Sequence, residues 1–145
     1  MHATLEKFGY GPGTVFEEAH WAVVVRPAQP TLGALVLIAK RDIESFGALN
    51  AAEGAALPVM VARIEAALAQ LVAPERVNYL MLMMVDRHVH FHVVPRYSGL
   101  RNWHDREFVD GGWPGMPALS PAVTLTAAEI AQLRADLANG TTDGG

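Results

Sequence analysis

The clearest pattern in the chain is an alternation of histidines and apolar residues in HVHFHVVPRY, at positions 88–97. Alternation with a period of two predicts a β-strand that has one polar and one apolar face. Side chains at i, i+2 and i+4 of a strand share a face, so the histidines are expected to project together and the apolar side chains to face a covering helix. The histidines of this pattern are His88, His90 and His92.

Short apolar runs predict the other strands of a sheet. Residues 14–25 can form two short strands, and the almost wholly apolar runs 34–40 and 75–85 are typical of buried strands. Asp86 and Arg87 stand between the last of these runs and the histidine strand, and they predict a tight turn. The strands on either side of this turn are then expected to pair as an antiparallel hairpin.

Two helices are predicted in the remaining chain. Residues 50–71 are rich in alanine and carry apolar residues at roughly helical spacing. Pro58 lies inside this stretch and is expected either to kink the helix or to mark its first turn, and one kinked helix is the preferred interpretation. Thr126 and Glu129 form a capping-box pattern that predicts a second helix through about residue 138.

Length and composition favour one globular domain. The chain has 145 residues, of which 51% are hydrophobic and 18% charged, a composition that suits a packed core rather than a disordered chain. We assign residues 1–138 to a single domain and residues 139–145 to a flexible tail. Together with the predicted elements, this indicates an α+β fold in which an antiparallel sheet packs against one central helix and a C-terminal helix.

Charge and composition argue against several classes of partner and site. The net charge of −4 provides no general attraction to nucleic acid or to anionic lipid, so a phosphate ligand must be held by a local site. The sequence contains no cysteine, which excludes disulfides, thiolate metal sites and cysteine nucleophiles. No stretch resembles a signal peptide, and no apolar run is expected to approach the ~20 residues of a membrane-spanning helix. A cytoplasmic protein without a membrane or nucleic-acid partner is therefore expected.

The three histidines can be interpreted in three ways. They can be ordinary polar side chains of a strand. They can bind a metal ion such as Zn²⁺ or Fe²⁺, in which case His20, His104 or Asp86 would supply a further ligand. They can also act in nucleophilic catalysis at phosphorus, because a neutral imidazole whose attacking nitrogen carries the lone pair needs no deprotonation. In that case His90 is best placed to attack, since its neighbours on either side can orient it and donate hydrogen bonds to phosphate oxygens.

The segment 88–94, HVHFHVV, resembles the signature of the histidine-triad superfamily, in which three histidines alternate with apolar residues and two apolar residues follow the third. The similarity covers about residues 23–96 and includes LGALVLIAKRDIESFGALNAAE, which looks like the family's strand, basic turn and helix entry. The ending HVHFHVVPR looks like that of the fragile-histidine-triad branch of dinucleoside polyphosphate hydrolases. The resemblance implies a homodimer that transfers or hydrolyses nucleotides at the α-phosphate through a nucleotidyl-histidine, without a cofactor or metal.

The resemblance also implies a role for each histidine. His90 would be the nucleophile, with its other ring nitrogen donating to a backbone carbonyl that fixes the tautomer. His92 would contact the phosphate oxygens near the scissile bond, and His88 would support the site from the other side.

The chain departs from the family pattern at three positions. Gly33-Ala34 stands where family members usually have Gly-His, and Val25 stands at the position of a ribose-binding Asn or Asp. Val85, within the short segment MVDR, stands where a Ser or Thr hydroxyl assists the leaving group. Arg87 and Arg96 are candidates to replace the phosphate contacts that are lost.

Two tryptophans lie in an irregular stretch near the C-terminus, RNWHDREFVDGGWPGMP. The segment Trp113-Pro114-Gly115 resembles a Trp-Pro segment of nucleoside phosphoramidases, which reaches the site of a neighbouring subunit. Trp103 or Trp113 is therefore expected to close the substrate pocket.

These features predict a nucleotide hydrolase or nucleotidyltransferase that acts on a phosphoanhydride, phosphoramidate or phosphoester through a covalent nucleotidyl-histidine. Its substrate would be a nucleotide or a nucleotide conjugate. Two alternatives stay open, a nucleotide- or phosphate-binding protein of the same type with little turnover and a histidine-rich metal-binding protein. The missing hydroxyl and histidine favour the binding protein, because removal of one preorganised polar contact costs ~10²–10³ in rate.

Overall fold

The computed structural model describes the backbone of residues 3–143 and the side chains of residues 3–139. Three α-helices, nine strands and one 3₁₀ turn lie in this part of the chain. The helices are α1 (Ala3–Lys7), α2 (Ala51–Leu71) and α3 (Ala127–Asp143). The strands are β1 (Thr14–Glu17), β2 (Trp21–Val25), β3 (Ala28–Gln29), β4 (Leu35–Ala39), β5 (Arg76–Leu80), β6 (His90–Arg96), β7 (Leu100–Trp103), β8 (Arg106–Val109) and β9 (Val123–Thr124).

Five of these strands form one antiparallel sheet in the order β1-β2-β4-β6-β5. The histidine strand β6 pairs with β4 on one side and with the edge strand β5 on the other. Their register places Ile38 beside His90, and Val36 and Leu80 on either side of His92. The predicted antiparallel sheet with a central helix and a C-terminal helix is thus confirmed.

The two faces of the sheet carry separate hydrophobic clusters. On one face, buried residues of α2 and α3 such as Ile64 and Leu133 pack against Leu37 and Val93. We call the other face the histidine face, because it carries the rings of the histidine strand. Its smaller cluster consists of Leu5, Ala22, Val24, Val36 and Ile38. Alternation along each strand therefore separates the main core from the candidate site.

The predicted tight turn before the histidine strand is wrong. β5 ends at Leu80 instead of residue 85, and residues 81–89 form an irregular connection. The ladder between β5 and β6 ends where Leu80 pairs with His92, so the residues that follow have no strand partner. Met84 and Val85 are 81% and 89% exposed, whereas Met81 and Met83 of the same run pack against the main core.

The central helix α2 begins with a complete capping box. The side chain of Asn50 accepts a hydrogen bond from the backbone N–H of Glu53 at 2.8 Å, and the Glu53 carboxylate accepts from the backbone N–H of Asn50 at 2.9 Å. The helix continues through Pro58 to its end, so this proline lies inside the helix and not in its first turn.

The C-terminal helix also has its predicted cap but extends further than predicted. The backbone N–H of Glu129 donates to Oγ1 of Thr126 at 3.1 Å, and the backbone N–H of Thr126 donates to the Glu129 carboxylate at 2.9 Å. The helix runs to Asp143, so the predicted flexible tail is helical from residue 139 to 143. Residues 144–145 of that tail lie outside the described residues.

By length and composition alone, α2 could cross a membrane, contrary to the expectation that no apolar run approaches the length of a membrane-spanning helix. Core helices of soluble proteins meet the same criterion. In this fold Met60, Ile64, Ala67 and Leu68 of the helix are buried in the main core.

Candidate active site

His90 is the first residue of β6 and is almost completely buried, with 2% of its surface exposed. Its Nδ1 lies 2.5 Å from the backbone carbonyl oxygen of His88. Since a carbonyl oxygen only accepts hydrogen bonds, Nδ1 carries the proton and Nε2 carries the lone pair. The structure therefore supplies the carbonyl that the predicted role of His90 requires and leaves the lone pair on Nε2.

His92 lies next to His90 on the same face, with the ring centroids 5.1 Å apart. It is half-buried, and none of the described residues forms a hydrogen bond with its buried Nδ1. Burial lowers the pKa of His92 to about 4, repulsion from His90 and Arg26 acts in the same direction, and the charge of Asp86 opposes it. His92 is therefore neutral at physiological pH and can offer one ring N–H to a phosphate oxygen.

The lowered pKa of His92 makes the stability of the protein depend on pH. Between its usual value of 6.5 and its value in the fold of about 4, the unfolded chain binds a proton that the folded protein does not. We expect the free energy of unfolding to be fully retained above pH 6.5 and to fall as the pH drops towards 4. Urea denaturation at both ends of this window measures the change.

The variant His92→Gln should lose most of this pH dependence, because glutamine does not titrate. His104→Gln is the matched control, since His104 is largely exposed and its replacement should leave the slope intact. Equal slopes in wild type and His92→Gln would show that another group is responsible.

His88 lies just before the strand rather than in it. Its Nε2 donates to the backbone carbonyl of Ala39 at 2.6 Å, and its Nδ1 lies 3.6 Å from the carboxylate of Asp42. The predicted common face of three imidazoles therefore holds for two of them. The contact of His88 with His90 is made by its backbone carbonyl, which orients the imidazole ring of His90.

Val25 is not available to a ligand at the histidines. It is 1% exposed and belongs to the core cluster beneath α2 and α3. Ala22 and Val24 of the same strand lie on the histidine face, so alternation places Val25 on the opposite face. The prediction that Val25 contacts the substrate is therefore wrong, because the histidine face is reached one residue earlier or later along the strand.

Arg26 is the polar residue that this part of the sequence contributes to the histidine face. Its backbone N–H donates to the carbonyl of Ala34 at 3.1 Å, which continues the alternation of β2 by one residue. Its Nη1 donates to the carbonyl of Ala28 at 2.8 Å, and burial lowers the pKa of its guanidinium. Its charge is close enough to His92 to lower the pKa of that imidazole. Strand parity, counted from Ala22, would have identified it from the sequence.

A second feature missed by sequence analysis is a segment that covers the histidine face, residues 3–10, which we call the N-terminal cover. The ring centroid of Phe8 lies 4.9 Å from that of His90 and 6.2 Å from that of His92. Nζ of Lys7 lies 2.6 Å from Oδ1 of Asp86, in the connection that leads to the histidine strand. No local pattern of residues signals such a contact between distant parts of the chain.

The two arginines proposed to bind phosphate differ in their surroundings. Arg87 is exposed on the irregular connection 81–89. Arg96 is 4% exposed, and its Nε donates to Oδ2 of Asp110 at 2.7 Å. Its Nη1 donates to Oδ1 of Asn78 at 2.7 Å, and its Nη2 donates to the carbonyl of Gly115 at 2.9 Å. Protein groups thus engage each nitrogen of this guanidinium, and the predicted phosphate contact of Arg96 stays a prediction.

A cleft of about 890 Å³ runs along the edge strand β5 and is lined by Trp113. Leu80, the strand partner of His92, lies at one end of this cleft, so the cleft begins beside the histidines but does not contain them. Trp113 lines this cleft, and its neighbour Gly115 accepts a hydrogen bond from Arg96, four residues along β6 from His92. Trp103 is 7% exposed in the main core and donates from Nε1 to Asp136 at 2.9 Å, so it does not close the pocket.

The extra ligands of the metal-binding interpretation do not assemble in the fold. His104 lies in the turn between β7 and β8, and its Nε2 lies 3.2 Å from Asp136. His20 lies between β1 and β2. Over residues 3–139 no group of three or more histidine or acidic side chains is arranged to hold a metal ion. Within the described residues, the metal-binding interpretation therefore lacks a set of side chains that could hold the ion.

Comparison with known proteins places the chain in a family. A family model described as HIT domain matches residues 11–99, and no curated protein matches the chain. A histidine triad (HIT) protein from Sinorhizobium meliloti has a similar structure, with 21% identity, a TM-score of 0.74, and coverage of 97% of this chain and 95% of that one.

Two further solved structures share the fold. A histidine triad protein from Marinobacter aquaeolei has 19% identity and a TM-score of 0.72, with coverage of 99% of this chain and 96% of that one. A hypothetical histidine triad nucleotide-binding protein from Sulfolobus tokodaii has 16% identity and a TM-score of 0.67, with coverage of 90% and 83%. The match of the HIT domain model to more than half of the residues shows that the chain belongs to the histidine-triad (HIT) family.

Proposed function

We propose that this protein is a nucleotide hydrolase or nucleotidyltransferase in which Nε2 of His90 attacks phosphorus. The observation that carries the proposal is the 2.5 Å contact between Nδ1 of His90 and the carbonyl of His88. This hydrogen bond holds the lone pair on Nε2 and stabilises the positive charge that the ring acquires during attack. His92, neutral at physiological pH, offers a hydrogen bond beside the attacked phosphorus.

The proposed reaction has two steps. A bond forms between Nε2 of His90 and phosphorus, while the bond from phosphorus to the leaving oxygen or nitrogen breaks and its electron pair goes to the leaving group. The leaving group takes a proton from water, because Val85 has no hydroxyl to donate one. Water then attacks the nucleotidyl-His90, the N–P bond breaks, its electron pair returns to Nε2, and the water proton passes to solvent. Another acceptor in place of water would make the reaction a transfer.

The charge of Arg26 supports a phosphate substrate. It lies on the histidine face near His92, where its positive charge would stabilise the negative charge that develops on the phosphate oxygens. The cleft along β5 adjoins His92 through Leu80 and has room for the rest of a nucleotide. We propose a dinucleoside polyphosphate or a nucleoside phosphoramidate as the substrate, in a cytoplasmic protein. The Sulfolobus tokodaii protein of this fold is described as nucleotide-binding, which agrees with this class of ligand.

We also propose a homodimer, as the family resemblance implies. α2 exposes apolar side chains such as Val59, which is 60% exposed. A second copy could cover this face of the helix.

A nucleotide-binding protein with little turnover is the second candidate. Two observations favour it: the nucleophile His90 is 2% exposed, and Val85, at the position of the family's hydroxyl, is 89% exposed on an irregular connection. This candidate shares the ligand but lacks the covalent step.

Trapping of the intermediate tests the proposed function. Wild-type protein is mixed with adenosine phosphoramidate or diadenosine tetraphosphate and denatured at alkaline pH, where a phosphorus–histidine bond persists. Mass spectrometry of the peptides is expected to find one added nucleoside monophosphoryl group on His90. The peptide that carries His104 is the internal control and should stay unmodified.

The outcomes separate the candidates. Turnover with an adduct on His90 supports the covalent mechanism. Turnover without an adduct, or with an adduct on another residue, overturns it. Saturable nucleotide binding in calorimetry without product identifies the binding protein instead.

A further inference from the structure

We infer that the N-terminal cover restricts access to His90 in the observed conformation and must move away before a phosphate can reach Nε2. This inference deepens the proposed function, since it concerns access to the same nucleophile. It rests on four features of the described residues: the burial of His90, the aromatic contact above it, the weak attachment of the cover, and the glycine-rich turn that follows it.

The small exposed surface of His90 leaves little room for attack in the observed conformation. Its exposed surface is 2%, although it faces away from the main core. Nucleophilic attack requires the reacting atoms to approach to ~3–3.5 Å, with the phosphoryl group aligned with the lone pair. The 2% of His90 that is exposed is a small opening for a group of that size.

The contact above His90 comes from the cover. Phe8 lies against both histidine rings, at 4.9 Å from His90 and 6.2 Å from His92 between centroids. Leu5 is 3% exposed in the cluster formed with β2 and β4, and Phe8 and Tyr10 pack against the same cluster. The hydrophobic surface that a ligand would meet is therefore occupied by part of the chain itself.

The attachment of the cover is small compared with that of the other helices. α1 has five residues, and helices of this length are not stable alone. Besides its apolar contacts, the cover is held by the ion pair between Lys7 and Asp86, whose side chains are 58% and 21% exposed, and by an exposed hydrogen bond of 2.7 Å from the Tyr10 hydroxyl to the carboxylate of Glu17. Exposed ion pairs contribute little because water and salt screen them. The cover can thus separate from the sheet without disrupting the main core.

The turn after α1 provides a hinge. Gly9 and Gly11 have φ angles of +95° and +102°, a backbone conformation that residues with a side chain rarely adopt. Beyond this turn the chain enters β1, which is fixed by its pairing with β2. Rotation about the glycines can therefore move the cover while the sheet stays in place.

Exchange of the C2 proton of histidine with deuterium, followed by mass spectrometry, tests this inference without requiring turnover. In wild type, exchange at His90 is expected to be much slower than at the largely exposed His104. In Phe8→Ala, exchange at His90 should accelerate by about tenfold or more, equivalent to ~1.4 kcal/mol in the opening equilibrium, because the apolar contact that closes the cover is lost. Exchange at His104 should not change between the two proteins.

A reversible lock gives a second test. The chain contains no cysteine, so in Lys7→Cys/Asp86→Cys the introduced thiols are the sole sites for a reducible bismaleimide cross-linker. The cross-linked protein should lose turnover and show slower exchange at His90, and both should recover on reduction. Each single cysteine variant, treated in the same way, is the matched control.

The results distinguish the cover from the proposed chemistry. Exchange at His90 as fast as at His104 in wild type, or turnover unaffected by the cross-link, would overturn the inference and leave the chemistry standing. Slow exchange that accelerates in Phe8→Ala supports the cover even if no substrate turns over, a result that would count against the proposed function alone.

Discussion

Replacing His90 by asparagine is expected to lower kcat/KM for a dinucleoside polyphosphate or a nucleoside phosphoramidate by about 10⁴-fold or more, which is the size of effect seen when a catalytic nucleophile is removed. Asparagine keeps an N–H that can reach the carbonyl of His88 but has no atom at the position of Nε2. The change therefore removes the attacking lone pair while it preserves the hydrogen bond that orients residue 90. Steady-state kinetics on purified wild type and variant measure the effect.

His104→Asn is the matched control for this substitution. His104 is 56% exposed on its side chain and has a positive φ of 45°, a conformation that asparagine tolerates well. The control should keep wild-type activity. His90→Asn should still bind the product nucleoside monophosphate, because His92 and Arg26 remain. Undiminished hydrolysis by His90→Asn would exclude covalent catalysis by His90.

Removal of the carboxylate of Asp110 is expected to cost about 3–5 kcal/mol of unfolding free energy, because it leaves the buried guanidinium of Arg96 without its counter-charge. Asp110 accepts from Nε and Nη2 of Arg96 at 2.7 and 3.3 Å, and both residues are at most 6% exposed. The same carboxylate accepts from the backbone N–H groups of Tyr97 and Gly112 at 3.2 and 3.1 Å. Asp110→Ala therefore removes several hydrogen bonds at once, and urea denaturation reports the loss.

The pair Arg106 and Glu129 provides the control with similar geometry and different burial. Nε and Nη2 of Arg106 donate to the two carboxylate oxygens of Glu129 at 2.7 and 2.6 Å, but the side chains are 36% and 23% exposed. Glu129→Ala should therefore cost much less than Asp110→Ala, even though it also removes a capping hydrogen bond. Similar losses in Asp110→Ala and Glu129→Ala would show that burial does not set the cost.

The ion pair between Arg96 and Asp110 also holds the wall of the cleft in place. Arg96 donates to the carbonyl of Gly115, and Asp110 accepts from the backbone N–H of Gly112, so the pair holds both ends of the segment that carries Trp113. Arg96, predicted to bind phosphate, thus also supports the wall of the cleft.

Much of the fold could be predicted because its signals are local. Short apolar runs marked β2 and β4, and alternation marked β6. The capping boxes at Asn50 and Thr126 each satisfy backbone N–H groups within four residues, so the helix starts are visible in the sequence. The prediction was wrong for residues 81–85, where an apolar run has no ladder partner.

The site was predicted in part, and the errors have physical causes. Alternation correctly placed His90 and His92 on the face opposite to Val93. In β2 the prediction chose Val25, whereas the next residue, Arg26, lies on the histidine face, because each step along a strand changes the face. Charge alone could not distinguish the exposed Arg87 from the buried Arg96. Whether an arginine is free depends on what the fold brings next to it, here an aspartate 14 residues away.

Local pattern was sufficient for the histidine strand, its two faces and the identity of the candidate nucleophile, because strand periodicity and side-chain chemistry are properties of neighbouring residues. The tertiary structure decided the tautomer of His90, the pKa of His92 and the presence of a cover over both rings. These depend on a carbonyl, a desolvating environment and an ion pair that joins residues 79 positions apart in the chain. Such contacts are set by packing between distant segments, which no short stretch of sequence specifies.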